Sequence, residues 1–342
     1  MILIVGAGIS GLYIGFLLLK TNIDFKIIEK GEIGGKIFTK KFKNGLVEHG
    51  PSVFHDKQKN ILKLCEKLNI KLKYTKGDFF SYEKLLDVKS LKPKKGFVKD
   101  FLTSENFTNY YETEPMIFRD MINMVKNEGR YMYPVKGFGE IVKRLKNLLK
   151  SHIINGEVLK AEQKGDFAKV YMKTGNVEEI LSVDKVIFCT TMSQLQSINL
   201  GDINIGKNLT TRMPTVRVYV YLNKDCEEIN QIFKNKVIYK KDFGLTIKID
   251  KRIVLLIYTD GENTKKYKIE KALKFFNLEN HIEKIEEIKF TDAYDLIVSE
   301  KELPFKLSDT IYQSAFPDRL NQTWLEGNLI KCEKIVKDIL ND

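Results

Sequence analysis

The chain of 342 residues is long enough for one large domain or two interleaved ones, and it can bury a sizeable core. Its composition, 43% hydrophobic and 30% charged, is typical of a folded protein and excludes an intrinsically disordered one. The formal net charge of +12 comes mostly from lysines scattered along the chain. We therefore expect a small-molecule substrate, with a nucleic-acid or anionic-surface partner as the weaker alternative.

Cysteine spacing and hydropathy indicate the compartment. No C-x-x-C pair occurs, which disfavours a structural metal site or a disulfide framework and favours a reducing environment, among Cys65, Cys189, Cys226 and Cys332. No apolar run reaches the roughly 18 residues of a membrane span. Apolar residues also follow Met1 directly, without the basic segment of a signal peptide. The sequence therefore predicts a cytoplasmic protein that binds no metal.

The first unit has the pattern of a nucleotide-binding fold. Residues 2–5 predict a buried strand, and Gly6, Gly8 and Gly11 follow it as G-x-G-x-x-G at the start of a helix over 10–20. A second strand over 24–29 ends in Glu29, close to the spacing of about 20 residues at which an acid binds a ribose. A solvated charge is the alternative for this acid. The pattern predicts a dinucleotide site and leaves both NAD and FAD open.

A glycine pair beyond Glu29 points to one of these cofactors. Gly34, Gly35 and Lys36 resemble the E-x-x-x-x-G-G-[RK] stretch of the flavin-containing amine oxidase superfamily, which includes protoporphyrinogen oxidase. In that superfamily the pair and the basic residue contact FAD. Bare backbone admits a cofactor closely, and a cation offsets the charge of its phosphates. The resemblance therefore implies FAD.

Four later stretches resemble motifs of the same superfamily and follow its order along the chain. They are Val47–Pro51 (D/E-x-G-P), Tyr133–Gly139 (P-x-G-G-x-G), Asp184–Thr191 (D-x-V-I-x-A-T-P) and Trp324–Asn328 (W-x-E-G-A). The resemblance implies that the following residues bind FAD: Gly6, Gly8, Ile9, Ser10, Gly11, Glu29, Lys30, Gly34, Gly35, Lys36, Gly50, Pro51, Val158, Thr190, Trp324 and Leu325.

The expected fold is α/β, with an FAD-binding Rossmann-like domain interleaved with a smaller α+β substrate domain built on an antiparallel sheet. Residues 1–75, 134–200 and 300–342 are expected in the first domain, and residues 76–133 and 201–299 in the second. Alternating patterns predict antiparallel strands at 215–222, 245–249 and 253–258, and a helix over 263–276. Further strands are expected within 158–183, with turns at Gly165 and Gly175.

The chain departs from the superfamily pattern near its end. The superfamily carries a strand ending in A-G-D or A-G-E, whose acid binds the ribityl chain. Phe316 stands at this place here, with Asp318 as a weaker substitute beyond Pro317. An S-G pair within the last helix is replaced by Lys331-Cys332, which adds bulk. These departures put catalysis in doubt rather than the fold.

The candidate catalytic residue is Arg217. The stretch 217–222 best matches a K-V-x-L-x-F strand whose lysine, in many amine oxidases, holds a water near the flavin. An arginine stays protonated and does not serve as the same base, although it can bind an anionic substrate. An outward charge on an alternating strand is the alternative. His49 and His55 are expected to be ordinary loop histidines.

The resemblance implies an FAD-dependent oxidoreductase of the amine oxidase type. Such an enzyme transfers a hydride from a C–H bond next to nitrogen to flavin N5, and oxygen reoxidises the flavin. Two alternatives remain open. One is a degenerate member that binds or scaffolds without catalysis. The other is a flavin mutase, because residues 50–55 also resemble the G-P-H-x-F-H of UDP-galactopyranose mutases.

Overall fold

The computed structural model describes residues 1–42, 45–51, 53–56, 58–74, 86–87, 92–93, 131–205, 210–225, 237–240, 244–250, 252–259, 265–297, 303–315 and 325–342. In chain order, the helices in these ranges are α1 (Ile9–Leu18), α2 (Lys59–Lys67), α3 (Gly139–Leu149), α4 (Met192–Ser197), α5 (Lys265–Phe275) and α6 (Leu325–Asn341). Among the described residues, no helix combines the length and apolar character that crossing a membrane requires.

The strands of the first half, in chain order, are β1 (Ile2–Val5), β2 (Phe25–Glu29), β3 (Thr39–Phe42), β4 (Gly45–Glu48), β5 (Phe54–His55), β6 (Leu72–Tyr74), β7 (Leu86–Asp87), β8 (Lys92–Pro93), β9 (Tyr131–Pro134) and β10 (Ile153–Asn155). Those of the second half are β11 (Glu157–Lys164), β12 (Phe167–Thr174), β13 (Val177–Val183), β14 (Lys185–Phe188), β15 (Thr210–Leu222), β16 (Val237–Lys240), β17 (Gly244–Asp250), β18 (Ile253–Thr259), β19 (Ile282–Ile297) and β20 (Ile311–Gln313).

A five-stranded parallel sheet carries the first unit of the chain, in the order β10-β2-β1-β14-β20. Every residue of β1 is buried because both faces of the sheet are covered. Ile2 and Ile4 pack in one core cluster with residues of α1, α3 and α6. Leu3 and Val5 pack in another with residues of β11, β12 and α4. The predicted α/β fold with a Rossmann-like parallel sheet is confirmed.

The three-stranded sheet β11-β12-β13 is the antiparallel unit expected within 158–183. Its two turns contain Gly165 and Gly175, with φ of +65° and +62°. Both predicted turn positions are therefore confirmed.

A second, five-stranded antiparallel sheet has the order β16-β17-β18-β15-β19. The predicted strands at 215–222, 245–249 and 253–258 lie within β15, β17 and β18, and the predicted helix over 263–276 is α5. Alternate residues of β15, such as Val218 and Val220, share a core cluster with Ala272 and Phe276 at α5. Tyr219 and Tyr221 share another cluster with Val47 of the hairpin β3–β4. The sheet therefore lies between a helix and a hairpin.

Helix ends differ from the predictions by one or two residues. The first helix, expected over 10–20, ends at Leu18 because the backbone N–H and hydroxyl of Thr21 donate to the Leu18 carbonyl, at 2.9 and 2.8 Å. It begins at Ile9, since Leu12 N already bonds to Gly8 O at 3.0 Å. The expected domain boundaries stay a prediction, and most of 76–130 lies outside the described residues.

Candidate functional site

The carboxyl ends of the parallel strands meet at one edge of the sheet, where ligands bind in folds of this kind. The glycine loop 6–11 follows β1, and Glu29 is the last residue of β2. Gly6 N donates to Ile28 O at 2.8 Å, and Cys189 N donates to Val5 O at 2.8 Å. These bonds continue the strand pairing beyond the sheet, so the loops after three strands are held side by side.

The glycine loop lets helix α1 begin close to the sheet. A Cβ atom added to Gly11 would lie 1.9 Å from the Gly6 carbonyl oxygen, so a side chain at this position does not fit. Gly8, by contrast, has no heavy atom within 4 Å of the place where its Cβ would lie. One side of the loop backbone is therefore open, next to the helix N-terminus, which favours a negatively charged ligand.

The carboxylate of Glu29 is bonded to the same loop. One oxygen, Oε2, accepts from Ala7 N at 2.6 Å, and the other, Oε1, accepts from Gly31 N at 2.8 Å. The interpretation as a merely solvated strand-end charge therefore does not describe this side chain. An ionised carboxylate has about four acceptor positions, so two remain for hydroxyl groups of a ligand.

The glycine pair lies directly against the glycine loop. Gly34 N donates to Ala7 O at 2.8 Å, and Gly34 pairs with Gly8 as an isolated parallel bridge. Gly34 has a φ of +114°, and its Cβ would lie 2.8 Å from a Val142 methyl group, so this position requires glycine. The Cβ of Gly35 would lie 3.4 Å from the Gly8 Cα. The structure thus brings two separately predicted motifs together.

Other predicted cofactor residues lie around this edge with different side-chain environments. Val158 is 5% exposed and belongs to the core beneath the sheet, so its backbone rather than its side chain is available to a ligand. Lys30 Nζ pairs with Glu157 Oε1 at 3.1 Å. Thr190 Oγ1 donates to the Thr191 carbonyl at 3.3 Å. Ile9 and Ser10 form the first turn of α1.

The last helix packs against the first one beside the glycine loop. Leu325 begins α6 and is partly buried, whereas Trp324, Phe316 and Asp318 lie outside the described residues. Cys332 is fully buried, with its Sγ 3.6 Å from the Ser10 carbonyl oxygen. The bulk of this cysteine, a departure from the superfamily pattern, is therefore accommodated between α6 and α1.

Glu326 has a structural role that the sequence did not reveal. Its carboxylate accepts from Asn60 N and Ile61 N, both at 2.9 Å, at the N-terminus of α2. Residue Gln58, which precedes this helix, gives no side-chain cap. A carboxylate placed far away in the sequence thus binds the first N–H groups of α2. The missing local cap was the available signal.

Glu48 lies in a second polar group, between the hairpin β3–β4 and helix α3. Its Oε2 accepts from Thr39 Oγ1 at 2.7 Å, and its Oε1 accepts from Phe138 N at 2.9 Å. Burial raises the pKa of this carboxyl to about 7, against the lowering effects of both hydrogen bonds and of the Arg217 charge. Thr39 and Phe138 were not predicted, because their roles depend on contacts distant in sequence.

Arg217 lies on the face of β15 that meets the hairpin. Its Nη1 donates to the Glu48 carbonyl at 3.1 Å and also to the Gly50 carbonyl. The alternative of an outward, solvated charge is therefore excluded by the geometry. A guanidinium that binds backbone carbonyls remains protonated, so this arrangement supplies no base.

The two candidate loop histidines have packing or pairing roles. The ring of His49 lies edge-on to Phe38 and roughly parallel to Tyr219, with centroids 5.0 and 6.1 Å away. Burial lowers the pKa of His49, with Glu286 opposing this effect. His55 pairs through its backbone with Tyr131. Both environments agree with histidines that help to build the fold.

Sequence comparison identifies the first unit only. No curated protein matches the chain at a significant level of similarity. Residues 4–68 match the model of a family described as an NAD(P)-binding Rossmann-like domain. This range contains the glycine loop, Glu29, the glycine pair and Gly50, which the structure brings to the same edge of the sheet.

Solved structures resemble the whole chain. Putrescine oxidase bound to putrescine aligns with a TM-score of 0.70 and 13% identity, over 100% of this chain and 99% of the other. Cyclohexylamine oxidase from Brevibacterium oxydans aligns with a TM-score of 0.70 and 12% identity, with the same coverage. A protein assigned as a protoporphyrinogen oxidase from an Exiguobacterium species gives a TM-score of 0.72 and 13% identity, again over 100% and 99%. The predicted resemblance is thus confirmed for the architecture: the chain has the fold of the flavin amine oxidases.

Proposed function

We propose that this protein is an FAD-dependent oxidoreductase of the amine oxidase type. The observation that carries the proposal is the open backbone of Gly8, bordered by Gly35 on one side and by the N-terminus of α1 on the other. Backbone without side chains, next to a helix N-terminus, is what a pyrophosphate group requires. The likeness to putrescine and cyclohexylamine oxidases supports the choice of FAD.

The residues at this edge fit the parts of such a cofactor. The loop 6–11 would bind the pyrophosphate through its N–H groups, and the free acceptor positions of Glu29 would bind ribose hydroxyls. Lys36 would offset the phosphate charge. Gly50, Pro51 and the start of α6 would contact the remainder of the cofactor.

FAD, when bound, supplies the hydride acceptor, which takes a hydride from a C–H bond next to nitrogen and passes the electrons to oxygen. The protein then has to bind, orient and exclude water. Arg217 takes no proton in this scheme, because its guanidinium is permanently charged and bonds to two backbone carbonyls. The substrate class that fits the proposal is a small molecule carrying an amine or a similar nitrogen.

The absorbance spectrum of the purified protein tests the cofactor. We expect flavin bands in the visible range that bleach with dithionite, and tight uptake of added FAD by protein from which flavin was removed. NAD titrated in the same way serves as the comparison, since the matched family model is described by NAD(P) binding. A colourless protein that takes up no FAD contradicts the proposal.

A flavin-binding protein without oxidase activity is the second candidate. It is favoured by the position of Arg217, whose contacts with carbonyl groups differ from those of a water-holding lysine. Hydrogen peroxide formation with a panel of amines and a porphyrinogen separates the two candidates. Flavin that stays oxidised with all of them, while dithionite still reduces it, supports the second candidate or a mutase.

A further inference from the structure

The strand β15 presents two different faces. Val216, Val218 and Val220 are buried in the cluster that contains residues of α5. Because side chains alternate along a strand, the intervening residues face the other side, towards the hairpin β3–β4. Tyr219, from that other face, shares a core cluster with Val47 of β4. The charged residue of this face, Arg217, is therefore directed at the hairpin rather than at solvent.

Two side chains of this face bind one short backbone segment. Arg217 Nη1 donates to the carbonyl oxygens of Glu48, at 3.1 Å, and of Gly50. The hydroxyl of Tyr219 also donates to the Glu48 carbonyl. Hydrogen bonds from a charged donor are stronger than neutral ones and hold their acceptors more tightly. Three donor–acceptor contacts thus fix the chain where it leaves β4.

The opposite side of this segment is held by the glycine pair and its neighbour. A Cβ atom on Gly50 would lie 2.4 Å from the Lys36 carbonyl oxygen, so the two backbones are in direct contact. Gly34, two residues before Lys36, bonds to the Ala7 carbonyl of the glycine loop. A continuous series of contacts therefore runs from the glycine loop, through 34–36 and Gly50, to Arg217.

We propose that Arg217 and Tyr219 are positioning residues that clamp the 48–50 backbone against the 34–36 turn and so set the place of Gly50 and Pro51 in the cofactor site. This role rests on the proposed function for the identity of the cofactor. It differs from a proton-transfer role, which a guanidinium does not perform, and from a role in binding an anionic substrate.

Four variants separate these roles. Arg217→Met removes the guanidinium and keeps an extended side chain, Arg217→Lys keeps a cationic donor, and Tyr219→Phe removes only a hydroxyl. Arg144→Met is the matched control, because Arg144 is a partly exposed arginine that pairs with Glu140 at 3.1 Å on α3. Circular dichroism and thermal melting establish that each variant is folded before the other measurements.

The first measurement uses cofactor-free protein, so that it does not depend on the proposed function. Amide hydrogen exchange of a peptide covering residues 45–51 is expected to become about tenfold faster in Arg217→Met, because the charged hydrogen bonds that hold the segment are lost. Tyr219→Phe gives a smaller increase, and Arg144→Met gives none. Exchange at the wild-type rate in a folded Arg217→Met protein overturns the clamp.

The second measurement concerns the cofactor. In Arg217→Met we expect FAD to dissociate about tenfold more readily and its visible absorbance band to shift, with partial recovery in Arg217→Lys. An unchanged spectrum and affinity, with only a raised KM for anionic substrates, would make Arg217 a substrate-binding residue and overturn the proposal. If the wild-type protein takes up no FAD, the proposed function fails, and the exchange measurement still decides the clamp.

Discussion

Thr39 and Glu48 share a hydrogen bond of 2.7 Å across the hairpin β3–β4, and through it the hairpin holds the start of helix α3. The same Thr39 hydroxyl accepts from Gly139 N at 2.7 Å, while the other Glu48 oxygen accepts from Phe138 N. The first N–H groups of α3 are thus bound by two residues that lie about a hundred positions earlier in the chain. The motif 133–139 depends on this pair for its position.

Replacing Thr39 by valine tests this connection. The substitution keeps the shape of the side chain and removes the hydroxyl, which leaves the Gly139 N–H and one Glu48 oxygen without this partner. We expect a loss of about 1–3 kcal/mol in the free energy of unfolding, measured by urea denaturation. Thr39→Ser retains the hydroxyl and is expected to lose much less. Equal losses in the two variants would assign the effect to the methyl group instead.

Glu48 predicts a dependence of stability on pH. Its pKa is raised from 4.5 to about 7 in the folded protein, so the folded state keeps a proton there that the unfolded state has released. Between these two values the contribution of this group to stability decreases as the pH rises, and above about 7 it changes no further. Glu48→Gln removes the titration and keeps the shape of the side chain.

The measurement is the free energy of unfolding of both proteins from pH 5 to pH 8. We expect the stability of the wild type, relative to Glu48→Gln, to fall by about 1–3 kcal/mol over this range. A constant difference between the two proteins would mean that Glu48 titrates at its ordinary value.

Gly8 predicts a variant that folds but excludes the cofactor. Its φ of −69° suits any residue, and the space beside it is open, so Gly8→Leu directs a side chain into that space without a clash within the protein. FAD affinity is expected to fall at least about a hundredfold, since the leucine occupies the volume of the ligand. The melting temperature of cofactor-free protein is expected to stay near the wild-type value.

Gly175→Asn is the matched control for this variant. Gly175 also has open space around it, and its φ of +62° is one that asparagine tolerates. The turn between β12 and β13 is not part of the proposed site, so FAD binding should be unchanged. Titration of both variants with FAD, followed by flavin fluorescence, gives the comparison. Normal FAD binding by Gly8→Leu would mean that the cofactor does not approach this loop.

Glu326 predicts a loss of stability at a distance from its own helix. Glu326→Ala leaves the N–H groups of Asn60 and Ile61 without their acceptor at the start of α2, and we expect a cost of about 1–2 kcal/mol. Glu279→Ala, at an exposed position, controls for the removal of one negative charge. Hydrogen exchange should show faster opening of 59–67 in the first variant only.

The first unit could be predicted from the sequence because its signals are local. The strand, the G-x-G-x-x-G turn, the helix and Glu29 follow each other within 29 residues, and each one fits the next. The alternation at 215–222 likewise predicted a strand and its two faces. Direct contact between Gly34 and the glycine loop agrees with two motifs that the resemblance assigns to one cofactor.

The contacts of Arg217 could not be read in this way. Its partners are backbone carbonyls of residues 48 and 50, and a carbonyl carries no signal in the sequence. The cap that Glu326 provides for α2 and the bonds of Thr39 and Glu48 to α3 have the same origin, since each joins elements far apart in the chain. Local patterns identify the elements, whereas such contacts follow from tertiary packing.

The strand order of the parallel sheet has a consequence for synthesis on the ribosome. β20 pairs with β14, although 122 residues (189–310) separate the two strands in the chain. At about 5–20 residues per second, β14 emerges roughly 6–25 seconds before its neighbour. Until then the nascent protein exposes the hydrogen-bonding groups along one side of β14, which can pair with other unfinished chains. Protection of this strand during translation is therefore a requirement that the topology itself imposes.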